Sequence, residues 1–250
     1  MKQLILHIPH SSDLIPIRTG YILNDNLINA EILKLTDWYT DDIFYSNQDI
    51  GVVAEFSRIF CDVERFSDDS QEVMAKFGMG VLYEKTDDGK SLRIVSAVQR
   101  EKLLNEYYWP HHNRLTREVE YQLKNFNKAT IIDCHSFPEI PFNCSEDKDP
   151  NRPDINIGTD SFHTPNELID LTQKFFSGFG LKVFIDKPYK GSIVPSSFYR
   201  KNKNVNSIMI EINRRLYLEE ASNNKSENYN EVKSMINKYL ELVRNEGVVR

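Results

Sequence analysis

The sequence reads Thr130-Ile-Ile-Asp-Cys-His-Ser-Phe-Pro138 near its midpoint, where an apolar run stops at polar side chains. In an open α/β sheet, ligands bind just beyond the carboxyl ends of the strands. A buried strand that carries Asp133, His135 and Ser136 at its end therefore predicts an α/β fold with an imidazole at the edge where ligands bind.

Two other stretches place a polar side chain on an apolar strand. Gln3-Leu-Ile-Leu-His-Ile-Pro-His-Ser-Ser12 reads as a hydrophobic strand that ends at His10. Ser207-Ile-Met-Ile-Glu-Ile-Asn-Arg214 sets Glu211 among aliphatic residues, where a lone carboxylate needs a partner. Two strand-end histidines and one carboxylate in an apolar strand indicate a metal hydrolase.

Length, composition and charge limit the class of protein. The 250 residues, 40% hydrophobic and 27% charged, are ordinary for a globular protein and suit a single domain over residues 1–250. The net charge of −6 and the lack of a basic cluster argue against a nucleic-acid partner. We expect no membrane helix and no signal peptide. Three cysteines without zinc-clip spacing indicate a reduced, cytoplasmic protein.

Hydrophobic periodicity and turn residues predict strands that alternate with helices. The predicted strands are 2–8, 51–56, 59–63, 129–134, 182–185 and 208–212. The predicted helices are 27–47, 97–126, 165–178 and 226–245, and Pro110 should kink or split the second of them. Residues 139–162 and 187–205 are predicted to be irregular. This order predicts a mixed, mainly parallel central sheet flanked by helices on both sides.

A catalytic zinc with an open position needs a third protein ligand besides two histidines. The helix predicted over 27–47 offers Asp37 and Asp41, which are four residues apart and share one face. Either carboxylate would complete a site with His10 and His135, and the choice between them stays open. The alternatives are a solvated His10, a buried hydrogen-bonded His135 and an Asp37 that only charges a helix end.

Glu211 is the candidate general base beside a metal-bound water. The alternative is a structural ion pair with Arg58 or Arg65. These two arginines suit bidentate recognition of a carboxylate and indicate an anionic substrate. Asp62 is their alternative partner, which would make them structural instead.

His135 has two neighbours that bear on its role. Asp133 would either ligate a metal itself or fix the tautomer of the imidazole. Cys134 would suit a cysteine hydrolase, but adjacent residues of a strand point to opposite faces, so its pairing with His135 is unfavourable.

Weaker candidates lie outside the strand ends. His112 falls on the apolar stripe of the helix that follows Pro110, where a structural histidine is the alternative. Lys190 and Gly191 offer a cation and a backbone amide that a substrate can approach closely.

Taken together, these segments resemble the N-formylglutamate amidohydrolase family. The matching pieces, in chain order, are Ile8-Pro-His-Ser11, Asp37-Trp38 with Asp41, Ser57-Arg58 with Asp62 and Arg65, Pro110 with His112, Asp133-Cys-His-Ser136, Pro153-Asp-Ile-Asn-Ile-Gly158, Lys190-Gly191 and Ile210-Glu211. Their order across residues 8–211 is more specific than any single piece.

The resemblance implies a fold related to the zinc carboxypeptidases, with one catalytic Zn²⁺. It implies His10, His135 and either Asp37 or Asp41 as zinc ligands. Glu211 is then the catalytic base, and the arginines anchor a substrate carboxylate or stabilise the oxyanion. The substrate-contacting residues that it implies are Arg58, Arg65, His112, Asn156, Lys190 and Gly191.

The implied reaction is hydrolysis of an N-formyl or other N-acyl amino acid by a zinc-activated water, with N-formylglutamate as the family's substrate. Tyr39, His111 and Glu64 stand where many members have a histidine, a tyrosine and an asparagine, so the acyl group and the amino acid stay open. The rival hypotheses are a non-catalytic protein that binds an acidic small molecule and a related hydrolase of another N-acyl amino acid. The oligomeric state is not predicted.

Overall fold

A computed structural model describes residues 3–219 and 222–245. It contains a six-stranded sheet in the order β2-β1-β3-β6-β4-β5. The strands are β1 (Ile5–Ile8), β2 (Ile50–Val53), β3 (Ala129–Phe137), β4 (Ile155–Gly158), β5 (Val183–Ile185) and β6 (Val205–Asn213). Neighbouring strands are parallel except β4 and β6, which are antiparallel. The predicted mixed, mainly parallel sheet is confirmed.

Helices cover both faces of this sheet. They are α1 (Asp25–Leu35), α2 (Thr40–Ile43), α3 (Ala97–Leu103), α4 (Trp109–Phe126), α5 (Asn166–Gly178) and α6 (Tyr229–Asn245). Leu115 of α4 packs with Ile131 of β3, whereas Leu240 of α6 packs in one cluster with Ile132. Adjacent strand residues point to opposite faces, so α4 and α6 lie on opposite sides. Within the described residues, no helix is long and apolar enough to cross a membrane.

The helix predicted over 27–47 is wrong in one respect, because the chain leaves helical geometry in its middle. Thr36 is extended, and Tyr39 has a left-handed φ of 62° before α2 begins. The break lets the backbone of Asp37 turn toward the sheet, where its N–H donates to a carbonyl after β1. Asp37 and Asp41 therefore do not share a helix face.

Two further predictions about elements are wrong. Residues 59–63 form turns instead of a strand, although their apolar side chains are buried in a cluster with α1. Residues 139–162 are not wholly irregular, since they contain β4, which pairs with β6. In both cases a contact with a distant segment decides the local structure, and a short apolar run does not reveal such a contact.

The predicted interruption of the helix over 97–126 lies just before Pro110. A wide π-helical turn at Leu104–Tyr108 joins α3 to α4. Proline lacks the N–H that would continue the regular hydrogen-bond ladder, so the ladder is disturbed in the preceding turn. The extent of the domain, residues 1–250, stays a prediction, because residues 1–2, 220–221 and 246–250 lie outside the described parts.

Candidate active site

Three side chains converge at the carboxyl ends of β1 and β3. His10 follows β1, His135 lies on β3, and Asp37 lies between α1 and α2. The Nδ1 atoms of His135 and His10 are 3.3 Å and 3.7 Å from Oδ2 of Asp37. The centroids of the two imidazole rings are 5.1 Å apart. All three residues are buried.

A second carboxylate lies behind each histidine. Nε2 of His10 donates to Oδ1 of Asp62 at 2.8 Å, and Nε2 of His135 donates to Oδ1 of Asp133 at 3.1 Å. Metal-binding histidines have this arrangement, in which a carboxylate orients the ring through its other nitrogen. Both rings consequently present Nδ1 to the space beside Asp37.

The donor set fits a divalent cation. Nδ1 of His10 is buried and has no hydrogen-bond partner among the described residues, and such an atom in a native interior needs an explanation. One nitrogen from each of His10 and His135 and one oxygen from Asp37 all lie within 4.8 Å of one another. Bonds to zinc of about 2.0–2.2 Å allow ligand atoms to be about 4 Å apart. The measured 3.3 Å and 3.7 Å separations satisfy that condition.

Of the two aspartates left open by the sequence, only Asp37 joins this cluster. Asp41 is exposed on α2. Burial alone would raise the pKa of Asp37, but the neighbouring His10 and His135 and the charge of Arg214 hold it well below its usual range. Arg214 donates to Oδ1 at 3.0 Å, and the backbone N–H of Ser136 donates to Oδ2 at 3.2 Å. Asp37 is thus an ionised, oriented carboxylate.

His7, Glu64 and Asp133 form a second group of potential ligands next to the first. Nδ1 of His7 is 2.8 Å from Asp133 and 3.1 Å from Glu64, and Nε2 is 2.9 Å from Nε2 of His111. Burial opposes protonation, but the two carboxylates raise the pKa of His7 to about 9. Burial and the charge of His7 lower the pKa of His111 to about 2. The protonated His7 therefore donates through Nδ1 to Asp133 and through Nε2 to His111, and it holds Asp133 against His135.

Glu211 lies opposite His135 in the register of β3 and β6. It is 7% exposed, and its Oε2 is buried without a hydrogen-bond partner among the described residues. Burial, the largest effect, raises its pKa to about 8, and the charge of Asp37 adds to the rise. The alternative ion pair with an arginine is absent from the described residues, where Arg58 pairs with Asp62.

A cavity of about 500 Å³ lies over the cluster. This volume is typical of a site for a small molecule. Its lining includes six acidic side chains, Asp37 and Glu211 among them, and four cationic side chains, which are Arg58, Arg65, Arg152 and Lys190. Among the described residues, Arg152 and Lys190 have no carboxylate oxygen within 4.0 Å, so these two cations are the ones that suit an anionic ligand.

Arg58 and Arg65 share Asp62 as a partner. Arg58 donates to Asp62 through NH2 at 3.1 Å, and Nε of Arg65 is 3.6 Å from the same oxygen. The hydroxyl of Tyr83 also donates to it at 2.7 Å. Arg65 also pairs with Glu72, since its NH1 is 3.7 Å from Oε1 of that residue. The structural pairing with Asp62 that the sequence left open as an alternative is therefore present, and both arginines still line the cavity.

Of the other residues that the sequence proposed for substrate binding or catalysis, not all reach the cavity. His112 does not line the cavity, and its ring packs 4.2 Å from the ring of Tyr108. Lys190 lines the cavity, whereas Gly191 does not. Cys134 is fully buried with the core residues on the sheet face away from His135, a placement that does not favour a cysteine hydrolase.

Asn156 does not line the cavity, but its side chain hydrogen-bonds to the backbone of a segment that does. Its side-chain amide donates to the carbonyl of Tyr189 at 3.0 Å, and its side-chain oxygen accepts from the N–H of Lys187 at 2.9 Å. It therefore holds the segment that brings Tyr189 and Lys190 to the cavity wall.

Sequence reasoning assigned no role in the site to several residues that organise it, namely His7, Glu64, Arg152, Tyr189 and Arg214. Two of them had a signal, since His7 lies inside an apolar strand and Arg214 directly follows one.

The family model described as N-formylglutamate amidohydrolase matches residues 2–218. The chain belongs to the N-formylglutamate amidohydrolase family. An N-formylglutamate deformylase of Pseudomonas putida is 24% identical over 229 residues, which cover 87% of this chain and 82% of that protein. An N-formylglutamate deformylase of Pseudomonas aeruginosa is 23% identical over 202 residues, which cover 77% and 74% of the two chains.

Solved structures share the fold of this amidohydrolase family member. An N-formylglutamate amidohydrolase from Ralstonia eutropha JMP134 superposes with a TM-score of 0.84 at 22% identity, covering 97% of this chain and 94% of that one. A gene product from Agrobacterium tumefaciens superposes with a TM-score of 0.67 at 17% identity, covering 98% and 92%. The predicted family and the predicted class of fold are confirmed.

Proposed function

We propose that the protein is a metal-dependent amidohydrolase that cleaves N-formyl-L-glutamate, or a closely related N-acyl amino acid. The convergence of His10, His135 and Asp37 with Glu211 at one cavity is the observation that supports this most directly. The two Pseudomonas relatives, both named N-formylglutamate deformylases, support the choice of substrate.

Zinc is the proposed metal, with His10, His135 and Asp37 as its ligands. Two imidazole nitrogens and one carboxylate oxygen leave a fourth position open, as catalytic zinc sites do. When bound, such an ion would polarise the amide carbonyl and lower the pKa of a water molecule. Asp62 and Asp133 hold the two imidazoles in place through Nε2.

Glu211 is the proposed base. A general base is most effective when its pKa lies near the working pH, and burial brings this carboxyl to about 8. The charges of Arg58 and Arg214 favour its ionised form. Ionised Glu211 accepts a proton from the attacking water and then delivers it to the amine nitrogen as the C–N bond breaks. The products are formate and glutamate when the substrate is N-formylglutamate.

Arg58 is the proposed electrostatic partner of the reacting group. Its NH1 is 3.9 Å from Oδ1 of Asp37, so the guanidinium lies next to the proposed ligands. There it can stabilise the oxyanion of the tetrahedral intermediate or a carboxylate near the scissile bond. Arg65 contacts the same oxygen of Asp62 as Arg58 does, at 3.6 Å, and also pairs with Glu72.

A cytoplasmic location remains part of the proposal. Cys61, Cys134 and Cys144 are all free and buried. Free cysteines without a disulfide are typical of proteins in reducing compartments.

The test is purification without added metal, followed by elemental analysis and a substrate panel. The panel contains N-formyl, N-acetyl and N-succinyl derivatives of glutamate and aspartate, each scored for release of the free amine. We expect bound zinc, fastest release from N-formylglutamate, loss of activity with a chelator and recovery with zinc. Binding without turnover would support a non-catalytic binding protein, and fastest release from another acyl group would support the related-hydrolase hypothesis.

A further inference from the structure

Arg152 is a buried guanidinium without a carboxylate partner. It is 3% exposed, and no carboxylate oxygen of the described residues lies within 4.0 Å of its nitrogens. Its Nε is buried and has no hydrogen-bond partner in the described chain. Burying an unpaired charge is costly, and arginine cannot relieve that cost by losing its proton.

The contacts of Arg152 hold its guanidinium plane without neutralising it. The group lies 5.9 Å from the ring centroid of Phe137 and 5.5 Å from that of Tyr189. NH2 donates to the carbonyl of Asp147 at 2.9 Å, and NH1 donates to the hydroxyl of Tyr189 at 3.3 Å. These neutral acceptors use only part of the five N–H donors of arginine.

Arg152 faces the cavity together with Lys190. In the described chain, Lys190 also has no carboxylate oxygen within 4.0 Å. Arg58 differs from both, because it is paired with Asp62 and lies 3.9 Å from Asp37. The cavity therefore has one cationic group, Arg58, beside the proposed metal ligands. It has a second cationic region, formed by Arg152 and Lys190, that has no counter-charge.

We infer that Arg152, assisted by Lys190, binds the side-chain carboxylate of a dicarboxylic N-acyl amino acid and so sets specificity for an acidic side chain. A substrate of this kind carries one carboxylate close to the scissile amide and another at the end of its side chain. Arg58 matches the first position, and the unpaired Arg152 matches the second. This inference rests on the proposed amide hydrolysis and goes beyond it by assigning a subsite.

The test compares two substrates of nearly identical shape, N-formyl-L-glutamate and N-formyl-L-glutamine. Charge-assisted hydrogen bonds account for about 10- to 100-fold in affinity. We expect Arg152→Gln to lower kcat/KM for the acid by about that factor and to leave kcat/KM for the amide nearly unchanged. Arg152→Lys, which keeps the charge, should recover part of the preference.

Lys187→Gln is the matched control. Lys187 pairs with Asp149 at 2.8 Å, its side chain is 51% exposed, and it does not line the cavity. The control removes one positive charge from the segment after β5 that also holds Lys190, and it should keep the preference for the acid. Thermal unfolding of each variant checks that it is folded. If Arg152→Gln does not fold, the same comparison of the two substrates is made with Lys190→Gln.

The outcomes separate the subsite from the proposed function. An equal loss of kcat/KM for both substrates in Arg152→Gln would show a merely structural role and overturn the inference, as would a wild-type protein without preference for the acid. If the wild-type protein hydrolyses neither substrate, the proposed function fails. Calorimetric binding of the same two compounds then still decides the subsite, which requires an acid preference that Arg152→Gln removes.

Discussion

His135 on β3 and Glu211 on β6 lie directly opposite each other in a parallel register. Paired residues of neighbouring strands share one face of a sheet, and the strands are about 4.8 Å apart. A proposed metal ligand and the proposed base are thus held by two buried backbones instead of by loops. Sites supported by regular elements keep their geometry more closely than sites on loops do.

Replacing Glu211 by glutamine should abolish turnover without removing the metal. Glutamine has nearly the same shape but cannot accept the proton, and positioned bases contribute at least about 100-fold to the rate. The measurement is amine release together with zinc per chain. A variant that keeps a near wild-type rate would remove Glu211 from the mechanism, and a variant that loses its zinc would make the residue a ligand.

Asp37→Asn and Asp41→Asn form a matched pair. Asp37 lies with the two histidines, whereas Asp41 is exposed on α2. We expect Asp37→Asn to retain far less than one zinc per chain after dialysis and Asp41→Asn to retain wild-type zinc and activity. The same zinc content in both variants would contradict the proposed ligand set.

Arg214→Met should weaken zinc binding although Arg214 is not a proposed ligand. The arginine donates to Oδ1 of Asp37 at 3.0 Å and to the backbone carbonyl of Lys34 at 2.8 Å, so it orients the carboxylate. Loss of such an outer partner lowers metal affinity or activity by about 10- to 100-fold. Arg215→Met is the control, since Arg215 pairs with Glu139 and Asp154 outside the cavity. Equal zinc affinities of the two variants would count against this role.

The raised pKa of Glu211 predicts a pH-dependent stability of the metal-free protein. The carboxyl has an ordinary pKa of 4.5 when unfolded and about 8 when folded, so between these values the folded chain holds a proton that the unfolded chain has lost. The free energy of unfolding therefore falls as the pH rises through this window, and the full loss is present above pH 8. Glu211→Gln removes this loss, because glutamine does not ionise.

Thermal unfolding in the presence of a chelator measures this effect. We expect Glu211→Gln to have a Tm several degrees above wild type at pH 9, because about 1 kcal/mol shifts the Tm of a chain of this size by roughly 2–4 °C. Near pH 4 the two Tm values should converge. A constant difference across the whole pH range would contradict the linkage.

Much of the site was predictable because parallel strands place their carboxyl ends at one edge of a sheet. His10, His135 and Glu211 were found because each lies in or directly after an apolar strand, and the structure brings all three to one cavity. Glu211 could be predicted as a functional residue from its two neighbours alone, since a carboxylate between two isoleucines in a strand is unusual.

The choice between Asp37 and Asp41 could not be made in the same way. Helical spacing treats the two as equivalent, but the chain leaves the helix at Thr36 and reaches a left-handed residue at Tyr39. The hydrogen bond from the backbone of Asp37 to the carbonyl of His10 draws this segment to the sheet. That contact joins segments that are far apart in the chain.

The amino-acid sequence by itself determined the α/β class, the strand-end histidines and the family, because these depend on local periodicity and on the order of short motifs. Only the tertiary structure decided which carboxylate meets the histidines and which cations face the cavity. The hydrogen bond between Arg214 and Asp37 joins residues 177 positions apart. The missing counter-charge of Arg152 is likewise visible only when every neighbour is in place, because pairing of charges depends on distance in space and not on spacing along the chain.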